Sequence, residues 1–343
     1  MDNFEAFTIL NNVHQTILSI GGSPSTGSSL LRQILNRNSQ IFCAPELHLF
    51  CKPSLYEDWD KYKQRILRKS FFGLPSAGFH SFVGFDLSEV PQIDKISIKH
   101  WIKESLSFIE FSNRVLNEIS KRDCRIIGDK TPANSCLFFK FLQQFPNGKV
   151  IHIVRNPYDV IASLVSRGKD VYFACCLYLY NTQKGLLTKD FKNYLLVRYE
   201  DLVEQSQKTT ENICLFLDVE FEDIMLSPTT RNTITKQEET TQLEGWKYDE
   251  SGQIERGSVG RFETLDKLFQ EKIRYYLDSM RLATKDTSSK FFSFKEVCEL
   301  LEYEVMLPHS SFKDQLDHDM KTHIKSLWSN PMLFNRRNYP FYV

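Results

Sequence analysis

The sequence predicts an α/β protein: a single domain with a central parallel β-sheet flanked by helices. Three observations lead there. A short β-branched run, Gln15 to Gly21, meets a second glycine and then an amphipathic helical stripe. The same alternation of strand and helix recurs three more times along the chain. With 343 residues, 41% hydrophobic and 25% charged, the chain can bury a two-sided sheet and is too apolar to be disordered or fibrous.

In the first unit the strand is followed by a helix from Ser28 to Arg37, where Leu30, Leu31, Ile34 and Leu35 fall on one stripe. The next units pair strand Cys124–Gly128 with helix Ser135–Gln144, strand Lys149–Val154 with helix Pro157–Arg167, and strand Tyr194–Val197 with helix Ser206–Leu217. Strands joined through helices run parallel, and ligands of such sheets sit beyond the carboxyl ends of the strands. Residues just after each strand are therefore the candidates for function. Between the first two units, residues 47–122 read as an inserted region, aromatic and mixed in charge, with a helical stretch near Ser97–Ser107. Residues 229–258 are polar, with Thr, Gln and Glu clusters and with Trp246 and Tyr248 past the middle, and a loop of that length reads as a lid or binding segment. The main domain is expected over residues 15–285, with 286–343 as an appended C-terminal region.

Charge and cysteine content narrow the function. Lys plus Arg and Asp plus Glu each number 43, so no global field draws the chain to nucleic acid or an anionic membrane, and any anion site must be local. The longest nearly apolar run, Val171–Tyr180, is shorter than the roughly 18–20 residues of a membrane span. Asp2 and Glu5 stand where a secretory leader carries Lys or Arg, which predicts a cytoplasmic protein. The eight cysteines form no CxxC pair and no Cys/His metal spacing, so reduced thiols and no metal site are expected.

Two motifs carry chemistry. Gly22 and Gly27 frame a GxxxxG loop between strand and helix, followed by Ser28 and Ser29. Backbone N–H groups and the helix dipole converge on an anion there, making a P-loop-like phosphate cradle. Ser28 occupies the place of the Lys that grips a nucleoside triphosphate, which disfavours ATP or GTP hydrolysis. In Lys149–Gly168, Asn156 suits an N-cap, Pro157 the first helical position, and Asp159 the carboxylate of a capping box. Ser163 and Arg167 share a face pointing back toward Arg155, and two arginines with a hydroxyl near a helix N-terminus suit a second phosphate.

Together SPSTGSS, GDKTP, VIHIVRNPYDVIASLVSR, VRYEDLV and GSVGRF, in this order over roughly residues 15–285, resemble the PAPS-dependent sulfotransferases, most closely the tyrosylprotein and bacterial branch. The resemblance implies that Ser25, Thr26, Gly27, Ser28 and Ser29 hold the 5′-phosphosulfate of PAPS, and that Arg155 and Ser163 bind the 3′-phosphate. Arg167 is similar to a further arginine of the tyrosylprotein branch, Tyr199 to a tyrosine that contacts the cosubstrate, and Arg256, Gly257 and Arg261 to a basic loop that closes on it. The sequence departs from the family where Ser25 follows Pro24, since a Lys or Arg is usual there. Lys130 in GDKTP resembles a family lysine and is the expected substitute cation.

The histidine base of the cytosolic branch would fall at Pro132. The tyrosylprotein branch uses a glutamate in a segment that CAPELHLF resembles, which makes Glu46 the candidate base and His48 the fallback. A carboxylate within hydrogen-bond reach can take the proton from an attacking hydroxyl. The expected reaction is in-line sulfuryl transfer from PAPS to a hydroxyl of a small metabolite, leaving PAP, with no metal. Other readings are a PAPS- or PAP-binding protein without catalysis, a tyrosine-peptide sulfotransferase, and an ATP-dependent phosphotransferase. The sequence assigns no nucleic-acid partner and leaves the oligomeric state open.

Overall fold

The computed structural model describes residues 15–67, 95–120, 123–227, 259–283, 292–329 and 341–342. Its centre is a five-stranded, all-parallel sheet in the order β2-β3-β1-β4-β5, formed by β1 (Thr16–Gly21), β2 (Ile41–Ala44), β3 (Ile126–Lys130), β4 (Lys149–Val154) and β5 (Tyr194–Arg198). The chain moves from β1 to one side, through β2 and β3, then crosses back to β4 and β5. The carboxyl end of β1 therefore sits at a topological switch point, where a crevice opens.

Four strands coincide with the sequence reading to within a few residues, and β2 is an addition. Its four residues are too few to show a period of their own. Cys43 and Ala44 are fully buried, and parallel pairing with β3 holds the strand. The strand read as Cys124–Gly128 runs on to Lys130, so Lys130 ends a strand instead of following one. The helix read from Ser135 begins as a 3-10 turn, Pro132–Leu137, and becomes α-helical over Phe138–Gln144.

One face of the sheet packs on the helix Phe108–Ser120 and an aromatic cluster of Phe50, Phe108, Phe141 and Phe145. On the β4 and β5 side, helices Pro157–Ser166 and Val171–Leu186 share a core with Ile273, Tyr276 and Leu277. Phe294, Val297, Cys298 and Leu301 of helix Phe294–Leu301 lie buried in that same core, so the region that reads as appended is packed into the fold. Leu282–Ala283 pairs antiparallel with Phe341–Tyr342. The expected lid, residues 229–258, lies outside the described residues, as do Arg256 and Gly257. No helix among the described residues is long and apolar enough to cross a membrane.

Candidate active site

Every strand of the sheet delivers a candidate residue at its carboxyl end. After β1, the loop Gly22–Gly27 turns through two left-handed residues, Ser25 (φ 73°) and Gly27 (φ 87°), into helix Ser28–Asn36. Gly27 is required twice over: by its φ, and because a Cβ there would lie 2.3 Å from the ring of Tyr199. No side chain caps this helix, so its first amides are left for a ligand or water. Thr26 Oγ1 donates to the Ser23 carbonyl at 2.8 Å, so its hydroxyl braces the loop from inside. The hydroxyls of Ser23 and Ser25 are buried without a hydrogen-bond partner among the described residues.

After β4, Arg155 is 3% exposed. Its Nη1 donates to the Ser25 carbonyl at 3.0 Å, and its guanidinium lies 5.0 Å from the Tyr199 ring centroid. Tyr199, the first residue after β5, thus packs between the loop and Arg155. Asn156 caps helix Pro157–Ser166 as read, its Oδ1 accepting from Tyr158 N and Asp159 N. Asp159 does not close a capping box. Its two oxygens accept from Gly260 N and Phe262 N, both at 2.8 Å, which fastens the segment carrying Arg261. Arg261 Nη1 then donates to Ser163 Oγ at 3.1 Å, and Arg167 Nε to the Ser163 carbonyl at 3.2 Å.

Three guanidiniums therefore gather around Ser163 and the loop. Burial lowers the pKa of Arg155 and Arg167 from the usual arginine value, and repulsion lowers both further, from Arg261 on Arg155 and from Arg261 and Arg155 on Arg167. Asp159 lies 3.9 Å from Arg155 with its oxygens engaged by the Gly260–Phe262 backbone, and weaker attractions reach Arg155 from Glu200 and Arg167 from Glu46. Such an arrangement favours an added anion.

The other half of the site lies at the ends of β2 and β3. Lys130 Nζ donates to Glu46 Oε1 at 2.7 Å and to Ser29 Oγ at 3.3 Å, joining the candidate base, the candidate cation and the loop. The Lys130 side chain is 5% exposed and that of Glu46 40%. A cavity of about 410 Å³ opens beside them, and Ser25, Ser28, Glu46, His48 and Arg167 line its inner end. Its outer walls come from the 3-10 turn, through Pro132, Ala133 and Leu137, and from helix Val171–Leu186, through Phe173, Cys176, Leu177 and Tyr180.

The sequence analysis missed this helical wall, although Phe173, Cys176, Leu177 and Tyr180 stand at i, i+3, i+4 and i+7. The stripe was hidden because Tyr172, Ala174, Cys175, Tyr178 and Leu179 on the other sides are buried in the core, which makes the helix apolar all round. His48 also lines the cavity, in a left-handed conformation (φ 56°), with Nδ1 3.5 Å from Cys51 Sγ.

Comparison with known proteins decides the family. A family profile described as the sulfotransferase family matches residues 18–223, more than half of the chain. The chain belongs to this family. A protein-tyrosine sulfotransferase of Drosophila melanogaster is 23% identical over 227 residues, which are 63% of this chain and 40% of that protein. The chain thus spans less than half the length of this curated relative. Among solved structures, the sulfotransferase domain of the Synechococcus PCC 7002 olefin synthase superposes with a TM-score of 0.58 at 20% identity, covering 86% of this chain and 98% of that one, a likeness of fold. The sulfotransferase domain from the curacin biosynthetic pathway gives 0.48 at 22% identity over 85% and 99%. The parallel α/β sheet described above is the fold the chain shares with the olefin synthase domain.

Proposed function

We propose that this sulfotransferase takes its sulfuryl group from PAPS and transfers it to the hydroxyl of a small, largely apolar acceptor held in the 410 Å³ cavity. The observation that carries the reading is the gathering of Arg155, Arg167 and Arg261 around Ser163 and the β1 loop, with Lys130 and Glu46 joined to the same loop through Ser29. A bisphosphorylated nucleotide needs two anion sites, and a strand-end loop with a separate arginine cluster supplies two. The buried, unpartnered hydroxyls of Ser23 and Ser25 fit a phosphosulfate in the loop.

When bound, PAPS supplies an activated sulfuryl group. The acceptor oxygen forms a bond to sulfur as the bond from sulfur to the phosphate oxygen breaks, giving a sulfate ester and PAP. Glu46 accepts the acceptor's proton and passes it to solvent. Lys130, hydrogen-bonded to Ser29, offsets in this reading the charge that develops on the leaving phosphate oxygen, in place of the cation missing at Ser25. The arginines and Ser163 orient the nucleotide, so catalysis is mainly positioning and charge stabilisation, by analogy with phosphoryl transfer.

The apolar wall of Phe173, Leu177 and Tyr180 supports a small acceptor. Eight free thiols fit a reducing compartment and hence a cytoplasmic metabolite. A peptide tyrosine, suggested by the name of the Drosophila relative, is the second acceptor reading. Incubation with PAPS and panels of apolar alcohols, phenols, sugars and tyrosine peptides, read by mass spectrometry, tests this. Sulfated apolar alcohols or phenols are expected. PAP binding without any sulfated product would leave a binding protein.

A further inference from the structure

Strand β3 does more than present Lys130. Asp129 is fully buried. Its Oδ1 accepts from Leu47 N at 3.1 Å, its Oδ2 from Asn134 Nδ2 at 3.2 Å, and both oxygens lie within 3.2 Å of Thr131 Oγ1, which donates to them. Thr131 Oγ1 in turn accepts from His48 N at 3.1 Å. The two residues that follow Glu46 are therefore gripped by their backbone amides from the end of β3, while Lys130, between the gripping residues, holds the Glu46 carboxylate.

Glu46 has its side chain 40% exposed, so packing alone does not fix it. His48, two residues on, adopts a left-handed conformation that is strained for a non-glycine residue and persists only where neighbours impose it. We propose that Asp129 is a positioning residue for Glu46: through Leu47 N directly, and through Thr131 to His48 N, it sets where the carboxylate can meet the acceptor hydroxyl. Burial pushes the Asp129 carboxyl up to about 7, and its hydrogen bonds to Asn134, Leu47 N and Thr131 work against that rise. The inference rests on reading Glu46 as the base.

The test compares Asp129→Ala, Asp129→Asn and Thr131→Val, each alone and combined with Glu46→Gln. PAP release from PAPS is measured with 4-methylumbelliferone as probe acceptor, alongside PAP affinity. Asp129→Ala should lower turnover about 30-fold or more, the scale of an ångström-level misplacement, with PAP affinity within about twofold of the parent. Asp129→Asn keeps an acceptor for Leu47 N and should recover part of the loss. In the Glu46→Gln background neither change should lower turnover further.

Equal losses in both backgrounds, or a loss of PAP affinity matching the loss of turnover, would overturn the proposal. Unchanged turnover in Glu46→Gln would instead overturn the base reading on which it stands. If Asp129→Ala does not fold, Thr131→Val frees only the His48 amide and must show the same dependence on Glu46. If the parent releases no PAP, amide exchange decides. Leu47 should lose protection in Asp129→Ala and His48 in Thr131→Val while β2 keeps it, and unchanged protection would contradict the grip.

Discussion

The two ends of the site are built differently. At the end proposed to hold the nucleotide, Arg155 is buried and bound to the loop carbonyl and the Tyr199 face, Ser163 is shared by Arg167 and Arg261, and Asp159 ties down the turn before Arg261. At the acceptor end, a half-exposed Glu46 and a wall of apolar side chains face an open cavity. A shared cosubstrate calls for fixed, charge-assisted contacts, whereas an acceptor is selected by shape. The nucleotide end should therefore tolerate little change, and the acceptor end should accept substitution at the cost of specificity.

Breaking the nucleotide end should give the largest effect. Arg155→Ala removes a charge held against the loop and should weaken PAP binding about 100-fold, roughly 3 kcal/mol, in calorimetric titration. Unchanged affinity would make that arginine structural. Glu46→Gln attacks the other end: PAP affinity should stay within about twofold while turnover falls about 100-fold, in the usual range for a lost general base. A parallel fall in PAP affinity would erase the division between the ends.

Acid should loosen the sheet beneath the acceptor wall. His152 on β4 is buried against Gly185 of helix Val171–Leu186 and bonded to Tyr194, and burial lowers its pKa from 6.5 to about 3. The folded protein thus binds a proton less readily than the unfolded chain. The neutral ring's contribution is complete above pH 6.5 and is lost as the pH falls toward 3, at about 1.4 kcal/mol per unit, or about 3 kcal/mol by pH 4. Denaturant melts at pH 7 and pH 4 should show this loss in the parent and a smaller one in His152→Gln. The smallest effect is expected at the wall itself, where Tyr180→Ala should raise the acceptor KM several-fold and leave PAP affinity and overall stability nearly unchanged.

The sequence made these ends legible to different degrees. Strands β1 and β4 and the residues after them could be read locally, because a β-branched run, a glycine turn, an N-cap and an adjacent arginine all lie within a few positions of one another, whereas Tyr199 after β5 came from likeness to the family. Glu46 was found by likeness to a family segment, since β2 is four residues long and nothing near it marks a strand end. Asp129 and Asp159 were not legible in their roles. Their partners lie 82 and 101 to 103 positions away, so local capping logic assigned Asp159 to its own helix when its oxygens serve Gly260 and Phe262. The wall helix was obscured because core and cavity claim all its faces with the same apolar residues.

The central claim is that the arginine cluster is a phosphate site of a bisphosphorylated nucleotide. Calorimetric titration of the full chain with PAP and, in parallel, with ADP tests it most directly, because ADP cannot place a phosphate on the ribose 3′-oxygen. Micromolar binding of PAP with binding of ADP at least about 30-fold weaker is the predicted result, a difference of about 2 kcal/mol. Equal affinity for the two nucleotides, or no binding of PAP, would contradict it.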